Sequence, residues 1–161
     1  NYQLTNTPLQ GKAKDYIVYK KGDIKIGVFG LGIELDGLVP QALYRETRYL
    51  DPIVHANKIA GILKNDEGCD YVICLSHLGY KYENSKVSDL VLAAQTKGID
   101  LILGGHTHTF LKEPTLVKGS DGKAVVINQA GWAGIQLGRL DLHFERNKKG
   151  RCVSCKNLTV G

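Results

Sequence analysis

Methionine is missing from this 161-residue chain, tryptophan occurs once and phenylalanine three times. Without an initiator Met the sequence reads as a processed or truncated piece. No apolar run is long enough for a transmembrane helix. The opening NYQLTNTPLQGK has neither the basic nor the apolar region of a secretory signal. The net charge of +5, from 21 Lys+Arg against 16 Asp+Glu, is scattered, so the basic stripe with interleaved aromatics of a nucleic-acid binder is absent. The densest basic stretch, ERNKKGR at 145–151, reads as a solvated turn. Only one close cysteine pair is present, Cys152 and Cys155 in CVSC; Cys69 and Cys74 lie apart along a strand-like segment. A zinc ribbon needs two such pairs, and a thioredoxin-like pair would open a helix instead of lying in a β-rich tail. Buried or free thiols are the expectation, with a disulfide as the alternative. Internal repeats and low-complexity tracts are also lacking.

What remains is ordinary globular material. With 43% hydrophobic and 23% charged residues, the chain suits one domain with a sizeable core. DYIVYKKGDIKIGVFG predicts two strands about a turn at Lys20–Asp23. YLDPIVHANKIAGILKNDEG predicts a helix with Asp51 as cap, Pro52 in the first turn, Ala56, Ile59, Ala60 and Leu63 as the apolar stripe, and Gly68 as stop. A short apolar strand follows at 70–76. A second helix is predicted in NSKVSDLVLAAQTKG, capped by Ser85, with Val87, Leu90, Val91 and Ala94 inward. IDLILGG is another buried strand. Continuous apolar strands separated by amphipathic helices imply a βαβαβ unit with a parallel sheet and right-handed crossovers. After Thr109 the chain turns β-rich, in AVVINQAG, GIQLGRLDLHFER and RCVSCKNLTV; Leu140, Leu142 and Phe144 alternate with polar neighbours. The fold class is therefore α/β, a layered sandwich.

In parallel sheets, ligand sites lie beyond the carboxyl ends of strands. VICLSHLG puts His77 after one strand, and LILGGHTH puts His106 and His108 after the next. Three of the five histidines thus fall at one edge. Neutral imidazole suits zinc, manganese or iron. Gly104 and Gly105 allow the backbone to turn sharply before the histidines. His55, on a helix, and His143, on a wet strand face, carry no such signal. Asn128 also follows an apolar strand and is placed at the same edge or in a local turn. Asp100 precedes its strand, at the opposite edge, and Asp141 has no route to the histidines. The set therefore lacks the anionic oxygen that normally bridges two metal ions. A competing motif, Gly30 and Gly32 in KIGVFGLGIELDG, fits a dinucleotide-binding loop poorly: Leu35 occupies the third glycine position and a poor helix start follows.

SHLG, GGHTH and the downstream NQAGWAGIQLGRLDL together resemble the second half of the calcineurin-like metallophosphoesterase domain of the 5′-nucleotidase / UDP-sugar hydrolase family. NTPLQGKAKDYIVYKKGDIKIGVFGLG is similar to that family's middle segment. The resemblance implies a four-layer α-β-β-α sandwich and a two-metal phosphohydrolase acting on nucleotides through metal-activated water. It assigns His77 and His106 to one divalent ion, zinc or manganese, and His108 to the other. The family's D-x-H, G-D and G-N-H-[DE] motifs are absent from these residues. The expectation is then a single domain over 1–161 that is the C-terminal half of a catalytic domain, inactive alone, joined by its missing N-terminal half or another copy. An extracytoplasmic, periplasmic location follows by the same resemblance. Two other readings are a non-catalytic metal- or partner-binding module with a decayed site, and a Rossmann-like nucleotide-binding domain.

Overall fold

The computed structural model describes residues 1–145 and 150–160, excepting the side chains of 151–153. Most of the basic stretch at 145–151 and the side chain of Cys152 therefore lie outside the described residues. In chain order the elements are β1 (Tyr2–Gln3), β2 (Tyr16–Lys21), β3 (Ile24–Leu31), α1 (Gln41–Tyr44), β4 (Arg48–Tyr49), α2 (Pro52–Gly61), a π-turn (Ile62–Asp66) and β5 (Tyr71–Ser76). Then come α3 (Asp89–Gln95), β6 (Leu101–Leu103), β7 (Thr115–Lys118), β8 (Ala124–Asn128), β9 (Gln136–Phe144) and β10 (Gly150–Thr159).

Six strands form one mixed sheet in the order β2-β3-β5-β6-β8-β7. The four central strands β3, β5, β6 and β8 run parallel, and β2 and β7 close the edges antiparallel. The parallel core matches the pattern of apolar strands and helices. The antiparallel edge β7 has no counterpart in the sequence reading, because TLVK is short and lies among loop residues. The small pair β1–β4 was likewise not anticipated.

Each face of the sheet has its own cover. On one side α2 and α3 lay Ala56, Ile59, Ala60, Leu92 and Ala93 against Phe29, Val72, Cys74, Ile102 and Ile127. Ile59 and Leu63 are at most 2% exposed, and burial of such a side chain contributes about 1.5–3 kcal/mol. On the other side the β9–β10 hairpin packs Leu140, Leu142 and Phe144 against Tyr71, Leu101 and Val126. Helices, sheet and hairpin are three layers, in keeping with a metallophosphoesterase sandwich.

The helix ends follow local chemistry. Asp51 Oδ1 accepts from the backbone N–H groups of Ile53 at 2.8 Å and Val54 at 2.9 Å, and Pro52 occupies the first turn. The α3 expectation needs correction. Ser88, not Ser85, caps the helix, accepting from Val91 N at 3.4 Å. The later start rotates the buried stripe onto Asp89, Leu92 and Ala93 and leaves Ala94 outside. The cysteines divide: Cys69 and Cys74 are buried free thiols, and Cys155 is disulfide-bonded, against the thiol expectation for it. Burial pushes the Cys74 thiol well up, so it stays protonated. No helix opens after Gly30 and Gly32; the next one is the four-residue α1. A phosphate-cradling helix start is thus missing from the Rossmann-like alternative. Among the described residues, no helix is long and apolar enough to cross a membrane.

Candidate functional site

The site stands where β5 and β6 end. These neighbours pair in parallel, Ile73 with Leu101 and Leu75 with Leu103, so both strands deliver their next residues to the same edge. His77 leaves β5 directly, its N–H bonded to Leu31 O at 2.8 Å. His106 follows β6 after two glycines. The two rings stand edge to face with centroids 5.2 Å apart. His77 is exposed and His106 half-buried. His108 turns aside: it stacks on Trp132, the chain's one tryptophan, with centroids 5.9 Å apart and planes 13° from parallel. The edge is therefore shared by all three imidazoles, but only His77 and His106 face each other.

Backbone conformation explains this split. His106 has φ 71° and His108 φ 53°, both in the left-handed region that side chains rarely occupy. Thr107 N–H donates to Gly105 O at 2.9 Å, closing a three-residue γ-turn about His106. Such conformations typically cost about 1–3 kcal/mol each and persist where surroundings impose them. The glycines act differently from expectation, because neither has positive φ. They are needed for close approach. A Cβ on Gly104 would strike Asp89 Oδ2 and stand 3.0 Å from Gln129 Nε2; one on Gly105 would stand 3.2 Å from His77 Nδ1.

Beneath the loop lies a buried polar layer. Gln129, 1% exposed, donates from Nε2 to Gly105 O at 2.9 Å, while its Oε1 accepts from Thr109 N at 2.5 Å and from Thr107 Oγ1 at 3.2 Å. Thr107 Oγ1 accepts from Tyr80 N at 2.9 Å, which ties the loop of His77 to that of His106. Asp89 is fully buried at the start of α3, accepting from Ser76 Oγ at 2.5 Å, with Oδ2 unpartnered. Burial outweighs that hydrogen bond and raises its carboxyl to about 7. Sequence reasoning missed Asp89, Gln129, Thr107 and Trp132. A carboxylate within an apolar helix and a Gln directly after a buried strand are their only sequence signals.

The electrostatics keep His106 neutral. Burial first, then His77, Lys86 and His108, lower its pKa, so the metal-competent imidazole is favoured at neutral pH. The remaining candidates lie elsewhere. Asn128 forms a reciprocal amide pair with Asn157, both bonds 2.9 Å, linking sheet to hairpin. Asp100 binds Lys64 at 2.7 Å at the far end of β6, and Asp141 pairs with Arg139 at 3.1 Å. His55 sits on α2 and His143 on the exposed hairpin face. Among the described residues no three His, Cys, Asp or Glu side chains gather tightly enough to enclose an ion. Two facing imidazoles fit a borderline-soft cation as part of its shell, and among the described residues no carboxylate joins them in a group of three.

The profile described as Calcineurin-like phosphoesterase matches residues 3–110. The chain belongs to that family. It is 32% identical over 146 residues to the trifunctional nucleotide phosphoesterase protein YfkN of Bacillus subtilis, covering 90% of this chain and 9% of that protein. It is 32% identical over 120 residues to the snake venom 5′-nucleotidase of Macrovipera lebetinus, covering 66% and 26%. The crystal structure of the 5′-nucleotidase precursor from Thermus thermophilus superposes with a TM-score of 0.77 at 30% identity, over 98% of this chain and 32% of that one. The phosphoesterase chain thus spans a third or less of these relatives. The Haemophilus influenzae NAD nucleotidase, at 19% identity and a TM-score of 0.79, shares the fold.

Proposed function

We propose that this chain is part of a metal-dependent phosphoesterase of 5′-nucleotidase type, which hydrolyses nucleotide phosphate esters as the intact protein. The observation that carries the reading is the edge-to-face pair of His77 and His106 at the ends of adjacent parallel strands. In this reading His77 and His106 hold one divalent cation, zinc or manganese, and His108 contributes to a second. Bound there, the ions supply positive charge to phosphoryl oxygens and acidify water. The chain's own residues do the rest. Burial first, then His77, Lys86 and His108, lower the pKa of His106 and favour its neutral form. Exposed His77 and His108 leave the edge open to substrate. Lys86, whose Nζ lies 5.1 Å from the Tyr82 ring centroid, adds positive charge near His106 and suits an anionic ester. Names of similar proteins, nucleotide phosphoesterase and 5′-nucleotidase, support a nucleotide substrate.

Hydrolysis by this chain alone is expected to be slight, because among the described residues no carboxylate joins the imidazoles in a group that could hold an ion. The acidic members and a further segment of the intact protein, or another copy, complete the unit. A location outside the cytoplasm fits both the venom relative and the disulfide at Cys155.

Metal analysis of the purified chain beside the variant with His77, His106 and His108 all changed to Ala tests the reading. Retained zinc or manganese in the wild type and its loss in the variant are expected; equal metal content in both overturns it. Trp132 adds an optical check, since metal at His108 alters the emission of the indole stacked on it. Phosphate release from a nucleoside monophosphate should be at most marginal, and robust turnover by the isolated chain refutes the ligand-counting argument. The lack of a three-ligand group among the described residues also favours a second reading, a non-catalytic metal- or partner-binding module. Reading the parent frame for D-x-H and G-N-H-[DE] upstream separates the two.

A further inference from the structure

We propose that Gln129 is a positioning residue, a buried amide that clamps both ends of the 105–109 loop and so dictates where His106 and His108 point. The inference deepens the proposed function and rests on that reading for its metal readout. Its foundation is geometric. Gln129 follows β8, whose register beside β6 brings residue 129 beneath the loop that leaves β6. Its Nε2 donates to Gly105 O, one residue before His106, and its Oε1 accepts from Thr109 N, one residue after His108. One side chain thus satisfies backbone groups on both flanks of the two histidines.

The main chain of Gln129 takes part as well: its carbonyl accepts from Leu111 N at 3.3 Å and from Asn157 Nδ2 at 3.3 Å. The side chain therefore projects from an anchored backbone. The clamped segment holds two non-glycine residues at positive φ, a conformation that relaxes unless its ends are pinned. Gly105 O accepts both the clamp and the γ-turn bond from Thr107, so the clamp acts on the turn about His106 itself. Gln129 Nε2 also lies close to Gly104, where an added Cβ would stand 3.0 Å from it, so a side chain at 104 would press on the clamp. Losing the clamp lets His106 swing from His77 toward ordinary backbone geometry, and His108 slides off Trp132.

The test uses the full chain with Co²⁺ as probe, in the wild type, Gln129→Met and Gln129→Glu. Met keeps the length and removes both polar ends; Glu keeps an acceptor and loses the donor to Gly105. Both variants are expected to bind Co²⁺ about 10–100-fold more weakly, the usual consequence of losing an outer partner that orients ligands. Thr96→Val is the control, because it removes a buried hydrogen bond to Leu92 O remote from the loop. It should lower the melting temperature while leaving Co²⁺ affinity and its absorption spectrum unchanged, which separates positioning from general stability. Co²⁺ affinity within twofold of wild type in folded Gln129→Met overturns the clamp.

A wild type that binds no Co²⁺ overturns the metal reading instead. The clamp is then decided by amide exchange at Thr109, which should accelerate in the variants; unchanged exchange overturns it. Should neither variant fold, the wild-type Gln129 carboxamide protons decide, since a clamped amide resists exchange with solvent. Solvent-averaged protons there refute the proposal.

Discussion

At the scale of single residues, the buried carboxyl of Asp89 has the largest consequence. It sits between Ser76, which precedes His77, and Gly104, which precedes the histidine loop. Burial raises its pKa from 3.8 to about 7, with the Ser76 hydrogen bond opposing. The native state then binds a proton that the unfolded chain releases over that interval. Stability is therefore greatest below the ordinary carboxylate range, falls as pH rises toward 7, and levels off above it. Asp89→Asn removes the titration while keeping an oxygen for Ser76. Urea unfolding of both proteins at pH 5 and pH 8 should show the variant gaining on the wild type at the higher pH. Between pH 5 and pH 8 about two units of that titration are crossed, so the ceiling is about 3 kcal/mol at roughly 1.4 kcal/mol per unit. An identical pH difference in the two proteins would mean that Asp89 ionises normally in the native state. Asp89 offers no exposed oxygen to the histidine edge, because it is fully buried at the start of α3.

At the scale of elements, α2 was legible because everything that makes it is local. Asp51 and Pro52 start it, and the spacing of Ala56, Ile59 and Ala60 gives its buried face, which Leu63 continues in the π-turn that follows. Asp51→Ala, which strands the N–H groups of Ile53 and Val54, should cost about 1 kcal/mol. Gly61→Ala should stabilise by a similar amount, since a Cβ there meets nothing within 4 Å and the backbone is helical. Thermal melts of the two variants should move in opposite directions. The α3 cap was misread because Ser85 and Ser88 are equivalent as residue types. The choice fell to tertiary contacts, in which Asp89 and Leu92 enter the core and Asp89 N–H binds Gly79 O at 2.7 Å. The placement of His77, His106 and His108 at one edge was legible for the same local reason as α2: an apolar run shows where a strand stops. Their directions were not. Left-handed φ at two histidines depends on a side chain contributed from the residue after β8, and no spacing within GGHTH records that Gln129 lies beneath it. Trp132 reached His108 through another long connection of this kind.

At the scale of the whole molecule, the two faces of the sheet are unequally covered. The helix side is closed by α2 and α3. On the hairpin side, the strand registers align Tyr19 with Ile26 and Tyr71, and Ile17 with Val28 and Ile73, and place Leu75 beside Gly30. The hairpin reaches Tyr71 and Ile73, yet Ile17, Tyr19 and Leu75 remain 45%, 57% and 48% exposed. Leu116, paired with Val126 on the opposite edge, is 69% exposed. Several large apolar side chains on one face are more than a solitary soluble unit usually shows. The same face is where a further β layer would complete a four-layer sandwich, and the relatives are about three or more times longer than this chain. Association through that face is the expected outcome, with a further segment of the intact protein or, failing that, with another copy. Light scattering of the isolated chain should give a mass that rises with concentration. The double variant Tyr19→Lys with Leu75→Glu, which places charges on the uncovered strands without touching either core cluster, should hold the mass at one chain. A wild type that stays a monodisperse monomer at high concentration would show that this face is content with water, and the expectation of a covering layer would fall with it.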